Sequence, residues 1–412
     1  MKTIKAKLEF LTPVHVGSGE TIEPHEYFIK DGYLHKLNMN RFLAELSQDK
    51  KEEFVDFIDR VELTKLRTFP KDNATDLSID GKIKVSQSVQ REYNNKVKEI
   101  KNRLEINLFP VNGISKTPYL PGSSLKGAFR TAIIDCFTQK LPQNRIRITE
   151  NVNWFEANLL EYDKDIRRDP FRILKIPDIP LEIGETEIIE CYNYKFNKKE
   201  SNAFDQRMEV TTSRFSNIGK SKVYEFEFLF NENLLEKTIS IKRDRKIVEK
   251  EDLFKKTFTL EELGSYANHH YFQVLRWEMK KFFSEDKKSP ELEGLRNLQV
   301  DSNQFLIRIG RFGHVESKTV DKYRNPRSNK GWGKTRTLAE NKYPLGWAMV
   351  TIGEYQFKPV PTDLPVPSGL GNKTDGKSFS KKPIYDKGNQ KKNSSQDQSS
   401  STYNPFKKLK KK

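Results

Sequence analysis

The chain has 412 residues, enough for two domains and a tail, and contains no run of about 18 apolar residues that would span a membrane. Its 74 Lys and Arg against 57 Asp and Glu leave a net charge of +17, which points to a polyanionic partner, nucleic acid before anionic membrane. The two cysteines, Cys136 and Cys191, exclude a disulfide framework and a cysteine zinc site. Met1-Lys-Thr-Ile-Lys5 carries no signal-peptide core, so a cytoplasmic protein is expected.

Residues 3–11 alternate, with Ile4, Ala6, Leu8 and Phe10 on one face and Lys5, Lys7 and Glu9 on the other, which predicts a half-buried antiparallel strand. Thr12 to Glu20 follow as a glycine-containing loop. There Gly17 lets the backbone approach a ligand, and His15 and Ser18 can meet a phosphate or a ribose hydroxyl. A turn needing positive φ explains the glycines equally well. Asp31-Gly32 between Glu26–Lys30 and Tyr33–Leu37 signals a type I′ hairpin. Short helices are predicted over Asn40–Leu46 and Glu52–Asp59, and residues 80–108 read as a charged helical insertion.

Pro121-Gly-Ser-Ser-Leu-Lys-Gly-Ala-Phe-Arg-Thr-Ala132 opens the first long helix, capped by Ser123 or Ser124 and running to about Phe137. Leu125, Phe129, Ala132, Ile133 and Cys136 form its apolar face, while Lys126 and Arg130 share another face near its start. Unpaired N–H groups, the helix dipole and two cations there predict a phosphate site; a merely solvated cationic face is the alternative. Gly127 costs about 1 kcal/mol against alanine in a helix, which argues for close approach of a ligand to the backbone.

Periodicity weakens from 140 to 200. Lys222–Phe230 restores a strand, and Thr259-Leu-Glu-Glu262 is a capping box. The helix it opens carries Leu263, Ala267, Tyr271, Val274, Leu275, Met279 and Phe282 on one stripe. Phe305, Ile307 and Ile309 mark another strand, and Trp347–Phe357 the last. The segment from Arg308 through Arg311, His314 and Lys318, continuing to Lys334, interleaves cations with Phe312, Tyr323 and Trp332. This is the composition of a single-stranded RNA groove, or else of a mobile basic surface loop.

The expected fold class is α+β: two ferredoxin-like (RRM-like) units with antiparallel sheets and helical insertions. Their boundaries are set at 1–200 and 201–360, with a disordered basic tail over 361–412. Residues 371–412 hold twelve Lys and three Asp. None of the six histidines falls at metal-ligand spacing, and no metal or cofactor is expected. A metal-independent ribonuclease would need one of them as proton-transfer group, with His15 and His25 as the candidates.

Pro121-Gly-Ser-Ser-Leu-Lys-Gly-Ala-Phe-Arg130 resembles the hallmark motif of the RAMP superfamily of CRISPR proteins, and Thr12-Pro-Val-His-Val-Gly-Ser-Gly19 resembles its N-terminal strand and loop. Within it, the chain is most similar to the type III-A Csm subunit that caps the crRNA 3′ end. Asp169-Pro-Phe-Arg-Ile-Leu-Lys175, Arg308-Ile-Gly-Arg-Phe-Gly-His314 and Tyr343-Pro-Leu-Gly-Trp347 support this over residues 1–357. The resemblance implies a non-catalytic crRNA-binding subunit needed for crRNA maturation. It also implies contacts to a neighbouring RAMP backbone subunit and the small subunit, with host nucleases trimming the RNA. Ser123, Ser124, Lys126 and Arg130 would hold the crRNA backbone, with His15, Gly17, Ser18, Arg308, Arg311, His314, Lys318 and Lys334 beside them. The family's backbone subunits cut target RNA with an aspartate after the glycine loop. The matching position here is His25 or Glu26, and residues 11–30 contain no Asp, so target cleavage is not carried over. The alternative is a metal-independent RAMP endoribonuclease acting on CRISPR repeat RNA.

Overall fold

A computed structural model describes residues 1–101, 103–140, 152–162, 165–195, 206–215, 222–243, 246–283, 290–320 and 335–359. The tail predicted over 361–412 and Lys334 lie outside the described residues.

A five-stranded sheet organises the fold. Its strands are β1 (Lys2–Phe10), β2 (Leu174–Lys175), β3 (Val223–Phe230), β4 (Gln304–Arg308) and β5 (Trp347–Thr351). They lie in the order β4-β5-β1-β3-β2, every pair antiparallel. Two helices pack on this sheet, α1 (Gly122–Gln139) and α2 (Leu260–Phe282). Read along the chain, β1-α1-β2-β3-α2-β5 is a split βαβ unit with β4 added at its edge.

The expected division at residue 200 falls inside this unit. The two edges of β1 are filled by β3 and β5, both from beyond residue 200, so these later strands complete the first sheet. The predicted alternation holds in both principal strands. Ile4, Ala6, Leu8 and Phe10 of β1 are buried, as are Tyr224, Phe226, Phe228 and Phe230 of β3. They meet the predicted stripes of the two helices in one core. Tyr271 Oη donates to the Ala128 carbonyl at 3.0 Å, and the buried His270 Nδ1 lies 2.8 Å from Asp135 Oδ2, pinning α2 to α1. The capping box is formed as predicted: Glu262 N–H donates to Thr259 Oγ1 and Thr259 N–H to Glu262 Oε2.

A second, mixed sheet of nine strands gathers pieces of 21–107, 186–211 and 335–344. Two of its pairings are parallel, Thr186–Lys195 with Ile79–Val85 and Gln206–Thr211 with Ile106–Asn107, so it departs from the all-antiparallel expectation. Among its described residues, the 80–108 insertion holds a helix only over Gln87–Lys96, flanked by those strands. The Asp31-Gly32 hairpin is present, both residues at positive φ. Among the described residues, no helix is long and apolar enough to cross a membrane.

Candidate nucleic-acid interface

Three segments far apart in sequence border one cleft of about 740 Å³. The loop after β1 contributes Gly17, Gly19 and Glu20. The first turns of α1 contribute Ser123, Ser124, Gly127 and Thr131, and the segment leaving β4 contributes Arg308, Gly310, Arg311, Ser317 and Lys318.

The two loops are stitched together. Arg311 N–H donates to the His15 carbonyl at 2.9 Å, and Gly346 N–H to the Pro13 carbonyl at 2.9 Å. Gly310 sits at φ +87°, and a Cβ on it would lie 2.5 Å from that His15 carbonyl oxygen, so the crossing admits only glycine. On the far side, Thr211 N–H donates to the Val14 carbonyl and tethers the β1 loop to the second sheet.

Neither Ser123 nor Ser124 caps α1. Pro121 occupies the cap position, and the Gly122 N–H donates to Asp178 Oδ1 at 2.8 Å. A Cβ on Gly122 would collide with the Ile176 and Pro177 carbonyl oxygens, so the glycine admits the 176–178 strand-end that brings Asp178 there. Relieved of capping, both serine hydroxyls face the cleft without a protein hydrogen-bond partner among the described residues. Gly127 borders the cleft too, and a Cβ there would meet nothing within 4 Å. The glycine is therefore not required by any contact within the protein.

Charge in the cleft is dominated by Arg311 and Lys318. Arg311 Nη1 donates to Asn107 Oδ1 at 2.8 Å, a neutral acceptor, and Lys318 Nζ donates to the Arg311 carbonyl at 2.6 Å. Neither forms an ion pair among the described residues. Partial burial, then the charges of Arg308 and Arg311, pull the Lys318 ammonium below its ordinary pKa. Among the described residues, the one carboxylate on the rim is Glu20, which lies 3.6 Å from Lys36 Nζ. An anion entering the cleft would relieve the mutual repulsion of these cations.

The model of the RAMP superfamily matches residues 7–314, three quarters of the sequence. The chain belongs to the RAMP superfamily. Among curated proteins it is similar to the CRISPR system Cms protein Csm5 of Methanocaldococcus jannaschii, 27% identical over 53% of this chain and 55% of that one. It is also similar to the Csm5 protein of Streptococcus thermophilus, 25% identical over 48% and 58% of the two chains. The matches thus span a little over half the length of these relatives. A chain in the cryo-EM structure of a Csm–crRNA–target RNA ternary complex of a type III-A system shares the fold. Its TM-score is 0.58 at 17% identity, covering 85% of this chain and all of that one.

Not all the predicted contacts of this RAMP chain meet in the cleft. Lys126 turns away from it, its Nζ donating to the Leu174 carbonyl at 2.8 Å. Arg130 is held by Glu156 at 2.6 Å and Asp169 at 2.9 Å, over the Phe171 ring. Both side chains are engaged by groups outside the cleft, and neither borders it. Arg308 borders the cleft, but its guanidinium enters the core. Its Nη1 meets Glu278 Oε1 at 3.0 Å, its Nε donates to the Leu345 carbonyl at 3.0 Å, and the group lies over Trp347.

His314 lies behind the cleft, its Nε2 accepting from Thr337 N–H at 3.3 Å. Burial, then Arg308 and Arg336, push its pKa down to about 2. Ser18 is used locally, donating to the Leu108 carbonyl and accepting from Glu20 N–H. His15 is buried beneath the loop, and His25 lies 3.7 Å from Glu23; neither borders the cleft. Sequence reasoning missed Asn107, Thr131 and Ser317. Thr131 was legible in principle, one turn beyond Gly127 on the face carrying Ser124. Asn107 and Ser317 carried no local signal.

Proposed function

We propose that this chain is a non-catalytic RNA-binding subunit of a type III-A CRISPR effector, capping the crRNA 3′ end and needed for crRNA maturation. The observation that carries the reading is the convergence of the β1 loop, the α1 serines and the cations Arg311 and Lys318 on one cleft. Cations without carboxylate partners, unengaged hydroxyls and glycine-bared backbone are groups that hold a ribose–phosphate chain without reading its sequence. Kinship with two Csm5 proteins supports the assignment to a Csm effector. On this reading the neighbours are a RAMP backbone subunit and the small subunit, and host nucleases trim the RNA end.

The test is incubation of the full-length protein with end-labelled repeat–spacer RNA, with and without EDTA. The RNA should be bound and recovered intact in both conditions. A defined cut that persists in EDTA and disappears in His25→Ala would contradict the non-catalytic reading.

A further inference from the structure

The last described residues run along α2. A Cβ on Gly264 would lie 2.4 Å from the Phe357 ring, so the glycine makes room for that ring in the second turn of the helix. Lys358 N–H donates to Ser265 Oγ at 3.0 Å. Pro359 then borders a hollow of about 400 Å³ beside Asn268, Phe272 and Arg276. Each residue thus lies further towards the C-terminal end of α2. A second hollow of about 340 Å³ continues the first, since Phe272, Arg276 and Leu298 border both. It reaches Phe283, just past the last residue of the helix. The two hollows form one groove, and the described part of the chain stops at its mouth.

The floor of the groove is apolar, with Leu275, Met279 and Leu295 beneath the second hollow, and its rim is cationic. Arg276 and Lys280 are exposed, and Arg296 borders the same hollow. No carboxylate borders that hollow among the described residues. The groove therefore suits an extended apolar segment that carries negative charge. The next residues in the chain are Val360-Pro-Thr-Asp-Leu-Pro-Val366, followed by Pro367. Val360, Leu364 and Val366 each precede a proline, which disfavours helix and keeps all three extended. Asp363 is the one charged residue between 360 and 370.

We propose that residues 360–366 lie along this groove, with Leu364 in the second hollow and Asp363 against Arg276 and Lys280. The lengths agree. From Ser265 to Arg276 the helix rises about 16 Å, at about 1.5 Å per residue. From Lys358 to Asp363 a chain in polyproline conformation covers about 16 Å, at about 3.1 Å per residue. Val366 then comes level with Phe283, at about 25 Å along the chain against about 27 Å along the helix. Docked there, the segment covers the apolar flank of α2 and engages its cations, so neither RNA nor a partner protein meets that face. The proposal is independent of the RNA cleft.

The experiment is disulfide trapping in the full-length protein carrying Leu364→Cys and Leu298→Cys, with the bonded peptides quantified by mass spectrometry after mild oxidation. Both native cysteines, Cys136 and Cys191, are buried and stay out of the reaction. The control replaces Leu298→Cys by Glu261→Cys, exposed in the first turn of α2 and within reach of position 364 if the segment is loose. The groove pair should form roughly tenfold more intramolecular disulfide than the control pair, the effect of a raised effective concentration. Adding Asp363→Lys to the groove pair should cut that yield roughly threefold, the scale of one partly exposed ion pair. Equal yields from the two pairs, or a yield untouched by Asp363→Lys, overturn the proposal. So does a disulfide joining two protein molecules, which would give the groove to a second copy of the chain.

Discussion

Replacing Glu278 by alanine should lower unfolding stability by about 3–5 kcal/mol, the cost of stranding buried charge without its partner. Glu278 is fully buried on α2 and holds together elements from three parts of the chain. Its carboxylate pairs with Arg308 at 3.0 Å and with Arg336, and accepts from Trp347 Nε1 at 3.0 Å. Burial alone would raise its pKa, but Arg308 and Arg336 outweigh it and hold the carboxyl down to about 2. Removing it leaves two guanidinium groups in the core, of which Arg336 is also met by Glu316 at 3.1 Å. Urea unfolding read by far-UV circular dichroism measures the change. A loss under about 1 kcal/mol would show that water reaches the network on truncation and that the cluster is not a sealed core. The damage should extend to the cleft, because Arg308 and Gly310 are joined by one residue and the Ile309 N–H donates to Gly346 beside this cluster.

The second large effect concerns binding. Arg311→Ala with Lys318→Ala should weaken single-stranded RNA binding roughly ten- to a hundredfold at low salt. It should also reduce the slope of log affinity against log salt by about 1.4, two phosphate contacts at about 0.7 each. Both side chains lie on the cleft rim and carry no ion pair among the described residues, so stability should stay within about 0.5 kcal/mol of the parent. Loss confined to one RNA sequence would mean these cations read bases, against the backbone-holding role assigned to them. The cations paired with Glu278 are interior and those of the rim are not, so the two sets have opposite consequences for folding and binding.

The features legible in the sequence were those fixed by neighbours in the chain. Alternation in β1 and β3 comes from the pleat, the Asp31-Gly32 turn from a two-residue demand for positive φ, and the α2 start from Thr259 and Glu262 capping each other. Each needs no knowledge of the rest of the fold. The pairing of β1 with β3 and β5 was not legible, because it joins residues more than 200 positions apart that carry no mark of their partner. Thr186–Lys195 was missed for a related reason. Ile188, Ile189 and Cys191 are buried along with Glu187 and Glu190, so both faces are covered and the period-two signal vanishes.

The site was legible as a set of segments and less so residue by residue. The β1 loop, the α1 start and the Arg308–Lys318 segment do converge. That Lys126 and Arg130 do not border the cleft was not legible, because where they turn depends on acceptors elsewhere: the Leu174 carbonyl, Glu156 and Asp169. A lysine and an arginine at a helix start look alike whether they await a phosphate or already hold a carboxylate. The serines were taken for caps, a role that Pro121 and Asp178 fill, and so became available to a ligand instead.

The central claim is that RNA lies in this cleft, and zero-length photo-cross-linking tests it most directly. Full-length protein would be irradiated with 4-thiouridine-substituted RNA, and the cross-linked peptides identified by mass spectrometry. Adducts should map to residues 16–21, 123–131 and 308–318. Adducts confined to other surfaces, such as the face of α2 around Arg276 and Lys280, would contradict the account.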